Sequence, residues 1–109
     1  QGNIASAEAN LRAATAREAV ALADYELAVA RARAAYLAAE ARVETLSATS
    51  LPQAEEALRL VRIGYSNGRF PLIEVLAAAD ARDAIREALI AAQQDRGQAA
   101  AELIRLAAQ

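Results

Sequence analysis

The sequence predicts an all-α fold, a long antiparallel helical hairpin of coiled-coil type, and three observations carry that prediction. Ala, Leu, Arg and Glu, the strongest helix formers, dominate the chain, while 109 residues hold only four Gly and two Pro. Apolar residues recur at alternating spacings of three and four, the signature of a helical seam near 3.5 residues per turn. One short stretch, Tyr65 to Pro71, gathers two turn formers and divides the chain into unequal arms.

The composition also limits the shape. Hydrophobic residues make up 56% of the chain, but 33 of them are Ala, against 13 Leu, 6 Ile, 5 Val, 3 Tyr and 1 Phe. An Ala contributes far less on burial than the ~1.5–3 kcal/mol of a Leu or Phe, so this supply suits narrow seams between close-packed helices. An elongated molecule is expected.

The first helix is predicted over about residues 4–49. Its seam is cleanest through Leu22, Tyr25, Val29, Ala32, Tyr36, Ala39, Val43 and Leu46. At Ser47-Ala48-Thr49-Ser50 the pattern pauses, and it resumes as Leu51, Ala54, Leu58, Val61 and Tyr65, displaced by one residue. A second helix is therefore predicted over 51–66, nearly continuous with the first, with a kink or short break at Pro52. An interior proline removes one ladder hydrogen bond; alternatively Ser50 caps a new helix with Pro52 in its first turn.

Gly68 suits the left-handed position just past a helix C-terminus, and Pro71 suits the first turn of the next helix. A third helix is predicted over 71–107, its stripe running through Val75, Ala78, Ile85, Leu89, Ala92, Ala99, Leu103 and Leu106, interrupted by Arg82 and Arg96. So short a connection makes the flanking helices antiparallel. At 1.5 Å per residue the long arm, residues 1–66, would span roughly 95 Å and the short arm, 71–109, roughly 55 Å, with the tip at 66–71. On that reading the seam from Leu22 to Leu46 lies largely beyond the second arm and needs helices from elsewhere.

These residues also resemble a family. Ile63-Gly64-Tyr65-Ser66-Asn67-Gly68 followed by Glu74-Val75-Leu76 and Ala78 is similar to the tip motif of TolC-like outer membrane efflux factors. The stretch Leu51 to Leu58, the opening Gly2 to Ala9 and the tail Ala101 to Leu106 are similar too, so the resemblance covers nearly the whole chain. The run Gly68-Arg69-Phe70-Pro71-Leu72-Ile73-Glu74-Val75-Leu76 most resembles the cobalt-zinc-cadmium cation efflux branch. Some relatives place Ser or Thr where Pro71 stands, and an aperture Arg where Phe70 stands; here the Arg comes one position earlier, at Arg69.

The resemblance implies a segment of a periplasmic tunnel in a homotrimer, whose outer-membrane contact is made by barrel strands outside this segment. It implies docking of the tip to the periplasmic adaptor of a tripartite pump with an inner-membrane component. Gly64, Tyr65, Gly68, Arg69 and Phe70 would form the adaptor-docking and aperture tip, with Tyr65 as an aperture tyrosine and the two glycines keeping the tip slim. Two other readings stand beside it: a coiled-coil hairpin of a pump adaptor or other helical scaffold, and an amphipathic lipid-surface protein, which the narrow seam disfavours.

Other function classes find little in the sequence. His and Cys are absent, and Ser residues cluster at helix breaks without a base, so no catalytic site is expected. No cofactor and no metal site are expected, since only scattered carboxylates are on offer. Twelve Arg against fourteen acids, with both signs scattered, leaves no basic stripe for nucleic acid.

Overall fold

A computed structural model describes residues 2–109, and among them the backbone is helical except at one reversal and the C-terminal end. Helix α1 spans Gly2–Thr45, a π-helical turn spans Leu46–Ser50, α2 spans Leu51–Ser66 and α3 spans Leu72–Ala107. The molecule measures 97 × 21 × 14 Å, two helices wide and one helix thick. The first arm is thus one rod of the expected length, and α3 lies back along it.

The interruption expected at Pro52 is a widened turn and not a break. Thr45, Ser50 and Leu51 all keep right-handed helical φ/ψ, and the Leu51 N–H donates to the Leu46 carbonyl five residues back. Ser50 makes no side-chain capping bond, so no new helix starts there. The cause is readable in the seam. An i→i+5 turn absorbs one extra residue, and the apolar line slips by one residue between Leu46 and Leu51, so the wide turn returns Leu58 to the face that holds Val43. The same turn lies just ahead of Pro52, where a regular helix would drive the proline ring into the carbonyl four residues earlier. The Ser47 hydroxyl donates to the Val43 carbonyl at 2.7 Å within this segment.

The core is a single narrow seam. Ala32, Ala39, Val43 and Leu58 of the first arm are buried with Ala92, Ala99 and Leu106 of α3, and Ala92 is fully covered. Alanine at these positions lets the helix axes approach toward the lower end of the usual ~8–10 Å spacing. The stripe expected on α3 from Val75 to Leu106 is buried or half-buried throughout, and Arg82 and Arg96 sit half-buried on it.

Two expectations need correction. Helix α3 reaches further than foreseen: the Tyr25 hydroxyl donates to the Leu106 carbonyl at 3.2 Å, so the seam from Val29 to Leu46 is covered by the chain's own second arm. The reason is arithmetic, because 36 helical residues laid back from Ser66 reach to about residue 30. Only residues 2 to about 24 overhang, with Ile4, Leu11 and Leu22 exposed. Pro71, expected inside the first turn of α3, instead occupies the capping position with extended backbone, φ −74° and ψ 158°.

Ion pairs decorate the rod and contribute little to its stability. Arg42–Asp95 and Arg86–Glu55 link the arms at 3.8 Å, and all four side chains are about half exposed. Glu56 and Glu102 each accept two hydrogen bonds from the Arg three residues on, Arg59 and Arg105. Those bonds hold both carboxyl groups below the ordinary glutamate value, and the guanidinium charge adds to the effect.

A first prediction concerns register. Deleting Thr49 together with Pro52→Ala leaves the seam in unbroken three-four spacing, and the melting temperature is expected to hold or rise. Deleting the exposed Ala38 instead turns half the seam away from α3 and is expected to cost at least ~2 kcal/mol; thermal unfolding followed by circular dichroism separates the two. A second follows from the depressed carboxylates. Their contribution is present above the unfolded-state pKa and is lost as pH falls through the folded-state value. A small loss of stability is therefore expected on acidification through and below the usual carboxylate range, and Glu56→Gln with Glu102→Gln is expected to shallow it.

Candidate functional site at the hairpin tip

The tip is built by one backbone motif. Asn67 caps α2, Gly68 follows with φ +73°, and the Arg69 N–H donates to the Gly64 carbonyl at 2.7 Å while the Gly68 N–H donates to the Tyr65 carbonyl at 3.0 Å. This six-to-one and five-to-two pairing is a Schellman closure, which satisfies carbonyls that the helix end leaves without partners. Only Gly adopts the left-handed conformation at the reversal without strain. The expectation for Gly68 is met.

Gly64 has a different role from slimming the tip alone. It is buried, and a Cβ there would stand 2.2 Å from Cδ2 and 2.5 Å from Cε2 of Phe70. The Cδ2–Cε2 edge of the Phe70 ring thus occupies the space a Gly64 side chain would take, closing the end of the seam while 41% of the residue stays exposed. The apolar contact that often accompanies a Schellman turn comes from the residue after the Gly; here that residue is Arg69, and Phe70, one position further on, supplies the contact.

The other expected tip residues are brought to the same end but not into one cluster. Arg69 is exposed within the turn, and Tyr65 is 46% exposed at the last turn of α2. Tyr65 was expected to continue the seam after Val61; Gly64 takes that place, because the turn draws Phe70 onto the face where a Tyr ring would have packed. Leu72, Ile73 and Leu76, all half or more exposed, extend the apolar surface onto the first turns of α3. The tip presents an apolar surface with one Arg and one phenol, a composition suited to anchoring in a partner's pocket.

The sequence reading did not foresee a groove behind the tip. Arg59, Arg62, Arg82 and Arg86 line it with Glu55, Leu58 and Ile63 between α2 and α3. Arg59 is held by Glu56, Arg82 by Asp83 at 3.0 Å and Arg86 by Glu55 at 3.8 Å, so most of the local charge is already compensated. The signal was present as Arg pairs three and four residues apart on two helices that the reversal brings face to face. Among the described residues there is no group of three or more carboxylates placed to hold a metal ion, and no helix long and apolar enough to cross a membrane.

The tip geometry generates a sign-reversing prediction. Gly64→Ala displaces the Phe70 ring and is expected to cost about 1–2 kcal/mol in the native background. With Phe70→Ala already in place, the same change is expected to be neutral or stabilising by up to ~1 kcal/mol, because Ala is the better helix former. Gly68→Val is expected to destabilise in both backgrounds by at least ~1 kcal/mol; denaturant unfolding of the set measures all three. No protein-family model, no curated protein and no solved structure matches the chain.

Proposed function

We propose that the chain is a wall segment of the periplasmic tunnel of a trimeric outer membrane efflux channel, and that its tip docks to the adaptor of a tripartite export pump. The observation that carries the reading is the tip: a Schellman-closed reversal that presents Tyr65, Arg69 and Phe70 at the end of a rod 97 Å long. A rod of this kind transmits no chemistry along its length. Its working surfaces are its sides, which pack on other helices, and its end, which meets a partner. The residues of the tip are also those in which the chain resembles the TolC-like factors, and the run from Gly68 to Leu76 favours heavy-metal cations as cargo. Cargo would pass along the tunnel without being coordinated by this segment.

Two experiments test the proposal in the full-length gene product. Phe70→Cys is expected to cross-link to a periplasmic adaptor in cells, and failure across a panel of positions from Tyr65 to Leu72 contradicts docking. Gly68→Val is expected to lower metal export and resistance by penalising the turn. Wild-type export with normal pump assembly contradicts the role given to the tip.

A further inference from the structure

Helix α1 carries two apolar faces, and α3 covers only one of them. The second runs at alternating spacings of four and three from Ala9 to Ala41, and every position on it is exposed. Val20, Leu27 and Leu37 are its large members, 60%, 48% and 54% exposed, and the remainder are Ala. No charge falls on this line over a length of roughly 48 Å. By contrast, the outer face of α3 is broken by Asp80, Asp83 and Glu87. A helix with charge-free lines on opposite sides is patterned for two neighbours.

The charges flanking this outer line identify a neighbour. They lie at the positions that bracket a coiled-coil core: Arg17, Asp24 and Arg31 along one side, and Arg12, Glu26, Arg33 and Glu40 along the other. We propose that the outer face of α1 pairs with the same face of a second copy of this chain, antiparallel about a twofold axis between Ala28 and Val29. In that register Val20 meets Leu37 of the second copy, Leu27 meets Ala30, Ala23 meets Ala34 and Ala16 meets Ala41, each contact occurring twice.

Charge selects this register over its neighbours. It sets Asp24 against Arg31 and Glu26 against Arg33, twice each by symmetry, and brings no like charges together. A slip of one heptad in one direction sets Glu26 against Glu26, Asp24 against Asp24 and Arg17 against Arg31. A slip in the other sets Arg33 against Arg33, Arg31 against Arg31 and Glu26 against Glu40. A parallel, in-register pair sets Arg12 against Arg17, which cancels its one favourable pair, Glu26 with Arg31. Leu27 meets the small Ala30 beside the twofold axis, and Val20 meets Leu37 further out on either side. This pairing is proposed for the 109-residue chain on its own and does not rest on the tunnel reading, in which all subunits run parallel and the same face would pack on a different helix.

The test uses the 109-residue chain, which has no native Cys. Sedimentation equilibrium is expected to show a dimer. Ala23→Cys mixed with Ala34→Cys is expected to give a mixed disulfide on oxidation, with neither variant cross-linking to itself. Arg31→Glu with Arg33→Glu in one variant, and Asp24→Arg with Glu26→Arg in another, are each expected to weaken self-association at least about tenfold. Mixing the two charge variants is expected to restore a dimer. All four side chains are exposed, so helix content by circular dichroism is expected to stay native in each variant. A monomeric native chain, an Ala23→Cys variant that cross-links to itself, a mixed disulfide of Ala16→Cys with Ala34→Cys, or charge variants that associate as the native chain does each overturn the proposal.

Discussion

Two helices whose seam mixes alanine with single Val, Leu and Ile side chains hold together only if their apolar lines stay in contact along the whole of the shorter arm. Each Ala in the seam contributes little by area, so stability depends on how many positions remain in register. Every other feature of this molecule answers that requirement. The π-helical turn at Leu46–Ser50 absorbs the one residue by which the first arm's pattern slips. Without it Leu58 and Gly64 would rotate away from α3 and the tip end of the seam would open.

The tip is subject to the same constraint in sharper form. A reversal between Ser66 and Leu72 must bring two helix axes close together, and the left-handed Gly68 supplies the change of direction. The bare backbone at Gly64 then leaves room for the edge of the Phe70 ring, so that the last position of the seam is filled from the connection and not from either helix. Tyr65 and Arg69 are left at the surface by this arrangement. Closure of the core and exposure of Tyr65 and Arg69 are therefore one structural event.

Much of this was legible in the residues. Alternating three and four spacing located the seam on both arms, and Gly68 beside Pro71 located the reversal, because both signals are local. The one-residue slip after Leu46 was also visible, yet its structural meaning was not: a proline six residues on reads equally as a break, a kink or a capped start. Competition between the ladder and the seam decides that question, and it is settled only when α3 is in place to pull Leu51 and Leu58 inward. Tyr65 was assigned to the seam for a related reason, since heptad counting cannot know that Phe70 folds back onto Gly64. The groove of Arg59, Arg62, Arg82 and Arg86 depends on which faces of α2 and α3 the reversal brings together, and the outer line of α1 is mostly Ala, so neither stands out as a seam of large residues does.

The central claim, that α3 folds back antiparallel and zips along the first arm as far as Tyr25, is tested most directly by a distance between the two far ends of that contact. Spin labels at Glu26 and Ala107, both exposed, suit pulsed electron resonance. The hairpin requires a narrow distribution at about 20 Å or less, the spacing of neighbouring helices plus the labels. A continuous rod would place the same residues about 120 Å apart, and either a loss of the short-distance signal or a broad spread of distances would contradict the hairpin.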